Sequence, residues 1–159
     1  MAYEGDRNST PREWLDHLMN QNMIILPVFV QVLLTIGVLF VMGSRRRSAL
    51  VSKTTRLKDI ALGQDAWPVD ATKASNNYRN QFEIPVLFFA ACAFALITKT
   101  VDFWMMLWAV VFVVSRLVHA GIHLGANPVM PRAYAFFASA IAVLIMWITI
   151  VIRAVLPVI

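Results

Sequence analysis

The sequence predicts an all-α integral membrane protein, a four-helix bundle in a single domain spanning residues 1–159. Three observations carry this. The 159 residues are 59% hydrophobic and only 14% charged, against about 25% charged in a soluble domain. The mean hydropathy is +0.66. Four apolar stretches recur, and two of them, Met23–Met42 and Ala133–Ile152, carry no charge over 20 residues, enough to cross a hydrocarbon core of about 30 Å. The other two, Ile84–Thr98 and Phe103–Val114, are shorter and span by drawing in their polar flanks.

The elements follow in order. The first 22 residues are polar and mixed in charge, without the apolar core of a cleavable signal, so span one is expected to stay in place as a signal anchor. Met1-Ala2 lacks the glycine of a myristoylation signal. Thr10-Pro11-Arg12-Glu13 reads as a capping box with proline at the first helical position. It opens a short interfacial helix through Trp14, Leu15 and Leu18. Asn8-Ser9-Thr10 matches a glycosylation acceptor only weakly. Span one covers about 23–43 and closes at Gly43-Ser44. A basic loop follows over 44–70, where Gly63, Pro68 and scattered aspartates argue against a long helix. Asp70 is an N-cap candidate for a helix over about 71–98. That helix carries Arg79 and Glu83 into the membrane and bends at Pro85. Lys99–Asp102 is a tight turn, which makes spans two and three antiparallel neighbours. Span three covers 103–124, Gly125-Ala126-Asn127-Pro128 breaks it, and Pro131 precedes span four at 132–155. There is no internal repeat.

The net charge of +5 does not point to nucleic acid, because its distribution is a topology signal. Arg45, Arg46, Arg47, Lys53, Arg56, Lys58, Lys73 and Arg79 all fall between spans one and two. By the positive-inside rule this loop and the Arg116–Arg132 connection face the cytoplasm, with both termini on the other side. The compact loops suggest a bacterial inner membrane. Cys92, the single cysteine, excludes an intrachain disulfide. It lies mid-span and reads as packing. Trp104, Met105, Met106 and Trp108 read as lipid-facing or interfacial.

The polar residues of spans two to four converge. At 1.5 Å per residue from the tight turn, Glu83 lies at roughly 24 Å and Arg116 at roughly 21 Å, with Asn80 and His119 at about 28 and 26 Å. Each pair is therefore level. Asn76, Arg79, Asn80 and Glu83 share about 100° of helical arc, and Arg116, His119 and His123 about 60°. Arg132 enters from the start of span four. Ionisable groups at this depth mark a functional site by default. An arginine-rich cluster suits an anionic ligand, since the guanidinium fork matches a carboxylate.

Blander roles stay open. Arg79 and Glu83 are spaced as an i,i+4 ion pair. Arg116 and Arg132 can snorkel to lipid phosphates, and the basic run over 45–58 can bind anionic headgroups. His119 and His123 have the spacing of two metal ligands on one turn. With three histidines in the chain and one nearby acid, a metal site is disfavoured, as are a b-type haem and a histidine-rich di-iron centre; His17 lies on the wrong side to help.

The run Arg79-Asn80-Gln81-Phe82-Glu83-Ile84-Pro85 resembles the second-helix signature of the membrane-associated proteins in eicosanoid and glutathione metabolism, the MAPEG family. Arg116-Leu117-Val118-His119-Ala120-Gly121-Ile122-His123 resembles its third-helix motif, and Arg132 an arginine at the head of helix four. The resemblance covers most of the chain. It implies a homotrimer with glutathione bound in a cleft between subunits, open toward the cytoplasm. On that likeness Asn80 and Glu83 hold the ligand's polar ends and Arg79 supports them. Arg116, His119 and His123 belong to the same binding set, and Arg132 is the catalytic group that stabilises the thiolate. Some positions depart from the pattern. Asn76 replaces an arginine, His123 a tyrosine, Ala133 offers no hydroxyl, and Phe136 stands where some members have tyrosine. The implied function is a glutathione-dependent transferase or peroxidase acting on lipophilic electrophiles. The alternative is a non-catalytic membrane protein of the same fold that binds a lipid or serves an unidentified protein partner.

Overall fold

The computed structural model describes residues 21–61 and 66–155. The described residues form α1 (Ile25–Val51), α2 (Val69–Asn80), α3 (Ile84–Ile97), α4 (Phe103–Leu124) and α5 (Val129–Val155), with short 3₁₀ turns at Gln21–Ile24 and Leu57–Asp59 and no strand among them. Four segments are long and apolar enough to cross a membrane: Gln21–Val51, Val69–Ile97, Phe103–Leu124 and Val129–Ala154. The chain is an all-α, multi-pass membrane protein. The expected capping box, interfacial helix, glycosylation triplet and His17 lie outside the described residues.

Span one runs further than expected. Gly43-Ser44 does not end it, and α1 continues to Val51, so Arg45, Arg46 and Arg47 are helical rather than part of a loop. The helix persists because its basic turn is anchored. Arg45 donates to the carbonyls of Asp70 and Leu124 at 3.0 and 2.8 Å. Arg46 donates to Ser75 Oγ at 2.9 Å and lies 5.1 Å over the Trp67 ring. α1 ends in a Schellman motif: Lys53 takes φ 58, its N–H donates to Leu50 O, and the Thr54 N–H donates to Ala49 O, both at 3.1 Å.

The second span is broken rather than bent. α2 starts at Val69 after Pro68, so Asp70 sits inside the first turn instead of capping it. There it pairs with Lys73 at 3.7 Å. α2 stops at Asn80 and α3 begins at Ile84, with Glu83 at φ −96, ψ −100. Pro85 explains the break. Its ring clashes with the carbonyl four residues back, it has no N–H to donate, and it restricts the residue before it.

The Lys99–Asp102 turn is as expected. Lys99 takes φ 55, and Asp102 caps α4 by accepting from the Met105 N–H at 2.9 Å. α4 ends where the Gly125–Pro128 break was expected, with Asn127 at φ 60. α5 begins at Val129, so Pro131 lies within its first turn, where helical N–H groups have no partner in any case.

The core lies among α3, α4 and α5. Phe88 and Phe112 stack at 4.2 Å and 7°, flanked by Ala91, Cys92, Ala95, Ala109, Ala142 and Met146. The alanines let helices approach closely, the usual device where lipid removes a hydrophobic drive between helices. α3 and α4 meet at that ring pair, while the most extensive helix contact is between α4 and α5. Met105 is in this core, not facing lipid; Met106 and Trp108 are half-buried against it. Large apolar side chains such as Phe40, Ile97 and Leu144 are exposed, as lipid contact requires.

Candidate functional site

The break in span two creates the site. It leaves the Asn80 carbonyl free, and Arg116 Nη2 donates to it at 2.8 Å. A cation on the last carbonyl of a helix is also favoured by the helix dipole. Arg116 is fully buried, and its Nε and Nη1 have no partner.

A second network fixes the same turn. Gln31 Nε2 donates to Gln81 Oε1 at 3.0 Å. Gln81 Nε2 donates to Asn77 Oδ1 at 3.0 Å, and Asn77 Nδ2 donates to Ala120 O at 3.1 Å. This amide ladder joins α1, the break and α4, and all three amides are buried. The sequence reading missed it. Its signals were a lone amide within the apolar run of span one and the i,i+4 spacing of Asn77 and Gln81.

On the other side of α4, His119 Nδ1 lies 3.1 Å from the Arg132 carbonyl and Nε2 lies 3.4 Å from Asn80 Nδ2. A carbonyl only accepts, so Nδ1 carries the proton. Nε2 is then the acceptor for the Asn80 amide. His119 is therefore committed at both nitrogens and orients Asn80. His123 packs edge-on against His119 at 5.6 Å, and its buried Nδ1 has no partner. Arg132 Nη1 donates to Asn127 Oδ1 at 2.6 Å.

These groups line a cavity of about 430 Å³ at one end of the bundle. Asn76, Asn80, His119, His123 and Arg132 form its polar side, and Val129, Ala133, Phe136 and Phe137 its apolar side. The expected level match of Asn80 with His119 is realised, and Arg132 joins them. Arg116 lies behind the lining. Arg79 and Glu83 are exposed and outside it. The expected Arg79–Glu83 ion pair does not form, because it required an unbroken helix; among the described residues the ion pairs are Lys73–Asp70 and Arg153–Asp102. No group of three or more metal-ligating side chains occurs among the described residues. The sequence gives no signal for Val129 or Phe137, and marks Asn127 only as a helix breaker. A groove of about 570 Å³ between α1 and α4, lined by residues such as Leu26, Val30, Val110 and Leu117, offers no polar side chain.

Fold and site together define a multi-pass helical membrane protein with an amphipathic cavity walled by a half-buried arginine. The MAPEG family profile matches residues 24–152, most of the chain, and the protein belongs to the MAPEG family. No curated protein and no solved structure matches it.

Proposed function

We propose that this protein is a glutathione-dependent transferase or peroxidase acting on lipophilic electrophiles, and that it works as a homotrimer. The observation that carries the reading is the cavity itself, in which Arg132 and two carboxamides face an aromatic wall. The residues fit such a ligand. A volume of about 430 Å³ falls within the roughly 300–1,000 Å³ of small-molecule sites. The buried Nδ1 of His123 lacks a partner, and Arg132 is the one charged group in the lining. When bound, glutathione supplies a thiol whose ionised form is the nucleophile.

The chain's own residues divide the work. Arg132 holds a positive charge that favours the thiolate. Asn80, oriented by His119, and Asn76 hydrogen-bond the peptide. Phe136 and Phe137 exclude water and receive the apolar substrate. No carboxylate lines the cavity; in the homotrimer that the family resemblance implies, Glu83 of a neighbouring subunit would meet the ligand's ammonium.

One observation favours a second reading. Ala133 and Phe136 bring no hydroxyl, and the lining carries a single charge, which also suits a non-catalytic site for a singly anionic amphiphile. Calorimetry with reduced glutathione on protein in nanodiscs separates the two. Saturable binding at millimolar or tighter affinity, weakened in Arg132→Ala and in Glu83→Gln, is the expected result. Binding of laurate without binding of glutathione would transfer the conclusion to the second reading.

A further inference from the structure

The Arg132 guanidinium is held by a neutral group. Its Nη1 donates to Asn127 Oδ1 at 2.6 Å, and it makes no other hydrogen bond and no ion pair among the described residues. The base of the residue is fixed as well: its carbonyl accepts from His119 Nδ1 at 3.1 Å, and its N–H donates to Pro128 O at 3.4 Å. Asn127 is itself immobilised. It takes φ 60, a left-handed conformation that asparagine tolerates better than most residues, and its N–H closes the end of α4 on Ile122 O at 3.0 Å. Both side chains are half-buried.

We infer that Asn127 is the positioning residue of this site, aiming the Arg132 guanidinium into the cavity through a neutral acceptor that leaves the full positive charge available to an anion. This rests on the reading of the cavity as a glutathione site. An acidic residue at 127 would make the same hydrogen bond and neutralise the charge. An apolar residue would leave the charge but release the side chain. Neither would stabilise a thiolate as well.

Two variants separate geometry from charge. Asn127→Asp keeps the acceptor and adds a carboxylate. Asn127→Gly keeps the left-handed backbone, which glycine adopts freely, and removes the acceptor. The readout is the ultraviolet thiolate absorbance of reduced glutathione bound to full-length protein in nanodiscs, followed against pH. Each variant is expected to move the ionisation midpoint up by about one unit, leaving about tenfold less thiolate at neutral pH. Apparent affinity should change less than the midpoint in Asn127→Asp. If Asn127→Gly does not fold, Asn127→Asp carries the test alone.

An unchanged midpoint in the folded variants, with a midpoint that still depends on Arg132, overturns the inference and leaves the site reading standing. An unchanged midpoint in Arg132→Ala overturns the site reading itself. Absence of glutathione binding by the wild type overturns both.

Discussion

His119 Nδ1 lies 3.1 Å from the carbonyl oxygen of Arg132, and this one contact ties the last turns of α4 to the first turn of α5. It fixes the imidazole tautomer, and with it the direction in which Asn80 must point its amide. His119→Leu removes both bonds and leaves the Asn80 amide without its acceptor. It should lower stability in detergent by about 1–3 kcal/mol and weaken ligand binding as Asn80 loses its orientation. Thermal unfolding together with calorimetry checks this. A fully stable variant that binds as the wild type does would show that the His119 bonds are incidental.

Much of this site was legible because a tight turn turns sequence distance into depth. Counting from Lys99–Asp102 set Asn80 against His119, and the two meet at 3.4 Å. The bounds of α4 followed from Asp102 and the Gly125–Pro128 break. The expectations that fail concern where a helix continues and where it stops. The sequence marks Pro85 as a bend in a helix that it in fact breaks, so no Arg79–Glu83 pair forms. Conversely, Gly43-Ser44 looks in the sequence like the end of a helix that continues because Arg45 and Arg46 find partners on α2 and at the end of α4. Periodicity does not encode such long-range bonds. The side-chain role of Asn127 was hidden by its obvious backbone role.

The amide ladder predicts an asymmetry between its two glutamines. Gln81 is satisfied on both sides, whereas Gln31 donates once and leaves its buried Oε1 without a partner. Gln81→Leu strands donors and acceptors on Gln31 and Asn77 and should cost about 1–3 kcal/mol. Gln31→Leu removes a group that is already half unsatisfied and should cost less than half as much. The double variant should be milder than the sum of the singles. Denaturant unfolding of all four proteins forms the cycle, and strict additivity would mean that the two amides do not interact.

At the opposite end of the bundle, Asp102 does two jobs. Oδ1 accepts from the Met105 N–H at 2.9 Å and Oδ2 meets Arg153 Nη2 at 2.6 Å, so the turn between α3 and α4 is clasped to the end of α5. Asp102→Asn retains the cap but loses the ion pair, which is partly exposed and should be worth no more than about 1 kcal/mol. Asp102→Ala loses the cap too, adding about 0.5–2 kcal/mol. Raising salt should shrink the difference between wild type and Asp102→Asn while leaving that between Asp102→Asn and Asp102→Ala. A salt-independent first difference would remove the electrostatic account of the clasp.

Ala133 offers a gain-of-function test. It follows Arg132 in the first turns of α5 and lines the cavity beside it. A serine there adds one hydroxyl at small steric cost, since the neighbouring space is open cavity. If the thiolate sits against Arg132 as proposed, that hydroxyl can donate to it, and a hydrogen bond to a charged group is worth about 1.5–3 kcal/mol. Ala133→Ser should therefore raise the thiolate fraction of bound glutathione at neutral pH by about tenfold, with turnover of a lipophilic electrophile rising in step and stability nearly unchanged. A stable Ala133→Ser protein with wild-type thiolate absorbance would mean that the sulfur binds elsewhere in the cavity. The catalytic assignment of Arg132 would then lose its geometric basis, while the fold and the His119–Asn80 arrangement would stand.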